Sequence, residues 1–213
     1  MGSADCERLR DGWLAQPFNA LTSLAFAVEG ATMLRHARQS PHAQRIGLAA
    51  ATVTTGVGSF AFHGPQPKGA HQLHDGSMTW LLLQVLQLHY ARPEEPRTRS
   101  TYLMTCAAGV GALCATKAGR TNAAVGGAAA AIAAKELGAL CRGRRKVHAR
   151  GGHYARALAA LSAGVAALAL GRTGSPLCDP DRFVQVHGLW HVAAAIALDG
   201  YVRAVDRPPI SSS

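Results

Sequence analysis

VQVHGLWHVAAAIAL, residues 184–198, is an uncharged run that carries two imidazoles, His187 and His191, four positions apart. On a helix those two side chains share a face. Apart from Gln185 the other residues are apolar or small. Such a helix is enclosed by protein or lipid on all sides, and its ionisable groups are the exceptions to explain. An isolated pair of this kind is often packing. The same pair is also a metal-binding face, which then needs further ligands from elsewhere in the chain.

The run is not alone. Only 16% of the 213 residues are charged, and the charges cluster. Uncharged stretches cover 12–28, 46–62, 76–91, 101–116, 121–134, 157–171 and 183–198. Each approaches the roughly 20 residues that a helix needs to cross a bilayer. A soluble helix would place charges along one face, and these do not. The expected fold is therefore all-α: an integral membrane bundle of seven transmembrane helices forming one domain over 1–213. Its helices are placed at about 17–36, 45–63, 71–91, 100–117, 121–141, 154–171 and 181–203. Pro17 suits the first turn of the first span. Residues 1–12 are polar, so no cleavable signal peptide is expected.

The net charge of +10 could suggest nucleic acid. Its distribution argues otherwise. The N-terminus and even connections hold seven Lys and Arg, against fourteen in the odd connections and C-terminus. The positive-inside rule then places the N-terminus outside the cytoplasm and the C-terminus within it. The run RGRRKVHAR, 142–150, reads as a topology anchor, since no aromatic residues interleave with it. No nucleic-acid partner is expected.

Polar side chains inside the spans are the functional candidates. Ser59 and His63 are four apart near the end of the second span. Asp75 lies early in the third, and His187 and His191 early in the seventh. The charge-derived topology puts all five at one depth on the extracytoplasmic side. Three imidazoles with an open position are the arrangement of a catalytic zinc site, which implies Zn²⁺ on His63, His187 and His191. Such a site acidifies a bound water. Asp75 could accept its proton, and Ser59 could hydrogen-bond the water or a developing oxyanion. Alone, the Asp would read as a helix cap and the Ser as a residue bonded back to a carbonyl.

Other polar positions have plainer readings. Glu29 calls for a partner on another helix. Lys135 and Glu136 point different ways and are expected to snorkel. Asp199 and Arg203 form an i, i+4 pair. His71 shares the face of Asp75, although interfacial solvation accounts for both His71 and His74. Cys106 and Cys114 fall within the fourth span as apolar filler. Cys6 and Cys178 fall on the outer, oxidising side, where either a bridge or two unpaired thiols is consistent with the sequence.

These residues resemble a known family, the alkaline ceramidases and their bacterial relatives. They belong to a wider superfamily of seven-helix membrane hydrolases that includes the adiponectin-type receptors. The resemblance is carried by DCE (5–7), AQPFNALTSLAF (15–26), GSFAFH (58–63), DGSM (75–78) and HGLWH (187–191). It implies zinc ligands His63, His187 and His191, with Asp75 and Ser59 attending a zinc-bound water. It also implies a Cys6–Cys178 disulfide, and a lipid substrate, ceramide or another N-acyl lipid, whose amide is hydrolysed. The chain departs from the family pattern at Gln16, where an acid is usual, at Ser23 in place of Asn, and at Gly64. Of the acidic set that binds calcium in eukaryotic members only Glu7 lines up, which puts calcium in doubt. The alternatives are a hydrolase of acyl esters, or a zinc-containing receptor or structural membrane protein without turnover.

Overall fold

The computed structural model describes residues 5–39, 43–88, 104, 111, 118–142 and 152–205. Among them are six long helices and no strand: α1 (Pro17–Gln39), α2 (Ala43–His63), α3 (Ala70–Gln87), α4 (Ala118–Cys141), α5 (His153–Leu170) and α6 (Val186–Val205). The expected span at 100–117 lies outside the described residues, apart from Met104 and Gly111. The fold is thus all-helical, and the first three helices and the last begin or end near their expected bounds. One boundary is corrected. The last helix starts at Val186, not 181, because Gln185 turns its amide onto the Arg182 carbonyl at 2.6 Å and the Asp179 carbonyl at 3.1 Å. Those bonds close a compact loop over 179–185 and leave the helix to begin behind it.

The polarity of the packing is reversed relative to a soluble protein. The largest fully buried side chains are His63, Gln16, Gln84, Asn19, Thr52, Thr55, Ser23 and Ser77. Outward stripes are apolar: Leu21, Leu24 and Val28 on α1, Leu158, Leu161 and Val165 on α5, and Leu189, Val192 and Ile196 on α6. Water would penalise that arrangement, whereas a hydrocarbon surround favours it. Three of the described helices, Gln44–His63, Ala123–Cys141 and His153–Leu170, are long and apolar enough to cross a membrane. Only 6% of the second and 17% of the third is covered by protein. The chain is membrane-associated.

Buried hydroxyls are tolerated because they bond locally. Thr52 Oγ1 donates to the Leu48 carbonyl at 2.7 Å, and Thr55 Oγ1 to the Ala51 carbonyl at 2.9 Å. Thr55 also reaches the Ser77 carbonyl at 3.1 Å, joining α2 to α3. The apolar core, Phe26, Leu48, Ala51, Leu81, Val85, Ala195 and Leu198, lies where α1, α2, α3 and α6 meet. Gly56 lets α1 and α2 touch, since a Cβ there would run into the Ala27 backbone nitrogen.

Far from the loop over 179–185, charged residues tie the last helices together. Arg156 and Arg203 each contact Asp199 at 2.5 Å, so the expected Asp199–Arg203 pair is joined by an arginine from α5. Glu29 on α1 lies within electrostatic reach of this group. Glu136 does not snorkel: Tyr154 and Tyr201 donate to its two oxygens at 2.6 Å each, linking α4 to α5 and α6.

Candidate metal centre

Helices α1, α3 and α6 begin, and α2 ends, at one end of the bundle. His63 is the last residue of α2, and His187 and His191 occupy the first turns of α6. All three are buried, at 0%, 7% and 3% exposure. Their ring centroids are 5.3 Å (His63–His187), 5.1 Å (His63–His191) and 4.8 Å (His187–His191) apart. Each offers a nitrogen within 4.8 Å of the other two, and together they form the one such cluster found among the described residues.

Hydrogen bonds assign the ring nitrogens. Gln16 Oε1 lies 2.8 Å from His63 Nδ1. His191 Nδ1 lies 3.2 Å from Thr22 Oγ1 and 3.3 Å from Ser23 Oγ. Thr22 donates its hydroxyl proton to the Phe18 carbonyl and Ser23 donates its own to the Asn19 carbonyl, so each oxygen accepts from His191. Nε2 of His63 is buried with no hydrogen-bond partner, as is Nδ1 of His187. Buried imidazole nitrogens left bare, on rings turned toward one another, fit a metal ion that three neutral histidines could hold.

Ser59 and Asp75 are linked to this set through other residues. Ser59 Oγ is 2.8 Å from Ser23 Oγ, one hydroxyl removed from His191. Asp75 is buried on α3, 2.8 Å from His74 Nδ1, and the His74 ring is 6.0 Å from that of His63. His71 Nε2 is 3.5 Å from the other Asp75 oxygen. Phe62 packs against His63, His71 and His74, walling the space between them.

Several participants are not assigned to the site from the sequence, although Gln16 and Ser23 stand out as departures from the family pattern. Gln16, Thr22, Ser23 and Asp5 all border the histidines. Asp5 places its carboxylate 3.7 Å from His187 Nδ1 and 4.0 Å from His63 Nδ1, beyond hydrogen-bond length but close enough for electrostatic attraction. The available signal was the polar stripe Gln16, Asn19 and Ser23, at i, i+3 and i+7 of an otherwise apolar helix.

The segment before α1 is clamped over the centre. Cys6 and Cys178 form a disulfide. The Arg8 guanidinium grips both oxygens of Asp181 at 2.6 and 2.7 Å. Glu7 turns its carboxylate onto the Phe18 and Asn19 backbone amides at 2.9 and 2.8 Å, capping α1 with an anion. The Ala15 and Gln16 amides donate to the carbonyls of Gly64 and His63, sewing the start of α1 to the end of α2. Those are orphan groups of two helix ends, satisfied together.

Fold and site thus define a class: a helical, membrane-associated protein with a buried three-histidine cluster at one end, closed by a disulfide-bound strap. A family model described as Ceramidase matches residues 12–206, and the chain belongs to that family, hydrolases acting on an amide bond. No curated protein and no solved structure matches it closely enough to be counted.

Proposed function

We propose that the chain is a seven-helix integral membrane zinc hydrolase that cleaves the amide of ceramide or a related N-acyl lipid, releasing amine and fatty acid. The observation that carries this reading is the convergence of His63 from α2 with His187 and His191 from α6. Family membership supports the lipid amide as substrate. His63, His187 and His191 would hold the ion. Bound by three neutral imidazoles, zinc keeps its full charge and supplies a Lewis acid that acidifies water and polarises a carbonyl.

The chain's own residues do the rest. Asp75 takes up the proton of the attacking water, its carboxylate aimed by His74 Nδ1 at 2.8 Å from Oδ1 and His71 Nε2 at 3.5 Å from Oδ2. It then hands that proton to the leaving amine. Ser59 donates its hydroxyl proton to Ser23, which donates its own to the Asn19 carbonyl, and so Ser59 keeps its lone pairs to accept from the attacking water. Phe62 and the buried α1 face keep bulk water from the reacting groups.

The centre and N-terminus lie on the extracytoplasmic side, with the C-terminus in the cytoplasm. The Lys and Arg asymmetry supports that orientation, and so does a disulfide at the centre's end of the bundle. Exposed Trp13 and Phe183, at 69% and 82%, suit the membrane–water boundary there.

The test is a panel of N-acyl lipids and acyl esters offered to purified protein, with and without chelator, alongside Asp75→Asn and a metal analysis. Zinc-dependent release of fatty acid from N-acyl lipids by the wild type alone supports the reading. Cleavage confined to esters moves the bond. Stoichiometric zinc without turnover of any lipid supports a receptor or structural protein instead.

A further inference from the structure

Gln16 is 1% exposed, and its amide is bonded at both ends. Nε2 donates to the Glu7 backbone carbonyl at 2.8 Å, and Oε1 lies 2.8 Å from His63 Nδ1. The first bond fixes which way the amide points, because a backbone carbonyl only accepts. Oε1 therefore faces the histidine, and it too only accepts. The proton must sit on Nδ1 of His63, which leaves the lone pair on Nε2. Nε2 is the buried atom without a hydrogen bond. The backbone repeats the tie, with the Gln16 amide donating to the His63 carbonyl at 2.8 Å.

We propose that Gln16 is a positioning residue: it makes Nε2 the metal-facing nitrogen of His63 and couples that ligand, through Glu7, to the strap before α1. This rests on the three histidines being a metal site. An acid at position 16 could not serve both ends, since a carboxylate accepts from His63 but cannot donate to the Glu7 carbonyl. Glu7 is itself pinned to α1, and its neighbour Cys6 is bridged to the loop before α6. The orientation of the α2 ligand is thus set from the same segment that is tied to the helix bearing the other two.

The test compares the full chain in detergent, stripped of metal, as wild type, Gln16→Met, Gln16→Glu and His63→Ala. Zinc affinity is read by competition with a chromophoric chelator, and the absorption spectrum is read with cobalt in place of zinc. Gln16→Met should weaken zinc binding about 10–100-fold and shift the cobalt spectrum, the usual scale for losing a partner of a metal ligand. Gln16→Glu keeps an acceptor for Nδ1 and should stay within about 3-fold of wild type, while loosening the strap. A purely structural role would lower thermal stability in both variants and leave affinity per folded molecule alike. If Gln16→Met does not fold, ¹⁵N-histidine spectra of metal-free wild type decide, with the His63 signals assigned by their loss in His63→Ala. The Nδ1–H tautomer supports the proposal and the Nε2–H tautomer overturns it. Wild-type affinity in Gln16→Met, with binding lost in His63→Ala, overturns the positioning role and leaves the metal reading intact. Equally weak binding by wild type and His63→Ala overturns both.

Discussion

His74 Nδ1 lies 2.8 Å from Asp75 Oδ1, so the candidate general base is held by its own sequence neighbour. The contact fixes one carboxylate oxygen, while His71 Nε2 lies 3.5 Å from the other. Asp75→Asn should lower kcat about 10²–10⁴-fold, the range for losing a general base. His74→Leu should lower it less, about tenfold, because the base is retained but poorly aimed. Bound zinc measured on the same samples should be unchanged in both. Loss of zinc in Asp75→Asn would make that residue a support for the ligands rather than a base.

The Cys6–Cys178 bridge joins segments 172 residues apart and fixes the strap from which Glu7 and Gln16 act. Removing it with Cys6→Ser plus Cys178→Ser should cost about 2 kcal/mol, toward the low end for disulfides because membrane helices already restrain the unfolded chain. That corresponds to a fall in Tm of roughly 4–8 °C for a chain of this size. Zinc affinity should fall with it. An unchanged Tm and unchanged affinity would show that the strap stays seated without its covalent tie.

The Arg8 guanidinium, through its hydrogen bonds and then its charge, holds the exposed Asp181 carboxyl below the usual carboxylate range, and Asp181 in turn raises Arg8. A carboxylate with a depressed folded-state pKa adds stability above its unfolded pKa and loses it as pH falls through the folded value. The pin is therefore intact at neutral pH and released only in acid. Limited proteolysis of the N-terminal segment should accelerate below about pH 4 in wild type. Asp181→Asn should be cut at the faster rate already at pH 7. High salt should shift wild type part of the way, since both side chains face solvent.

Close contact between α1 and α2 depends on Gly56. A methyl group there would collide with the Ala27 backbone and lie 2.9 Å from its Cβ. Gly56→Ala should destabilise the bundle by about 1–3 kcal/mol, the usual cost of overpacking. Gly126→Ala on α4, where nothing lies within 4 Å, should be near neutral in the same thermal assay. Equal stability of the two variants would mean that α1 and α2 separate without penalty.

Charge decided how much of this could be read from residues alone. His63, Asp75, His187 and His191 stood out because ionisable groups in apolar runs are costly, and the structure brings the three histidines together. Gln16, Thr22 and Ser23 carry no charge, and hydroxyls in such helices usually bond to their own backbone. Their convergence on the imidazoles appears only once α1 is packed against α2 and α6. Glu136 looked like a surface residue beside Lys135, because its partners Tyr154 and Tyr201 are remote in sequence. The start of the last helix was set too early for a related reason. Composition cannot reveal that Gln185 spends its side chain closing a loop.

The three imidazoles come from opposite parts of the polypeptide, one from α2 and two from the final helix. During synthesis the first is in place long before the others exist, and the strap that orients it gains its covalent tie only when Cys178 emerges. A chain cut short before α6 keeps one histidine of the cluster and nothing to share an ion with it. An ion shared by all three could be taken up only after the final helix has been made.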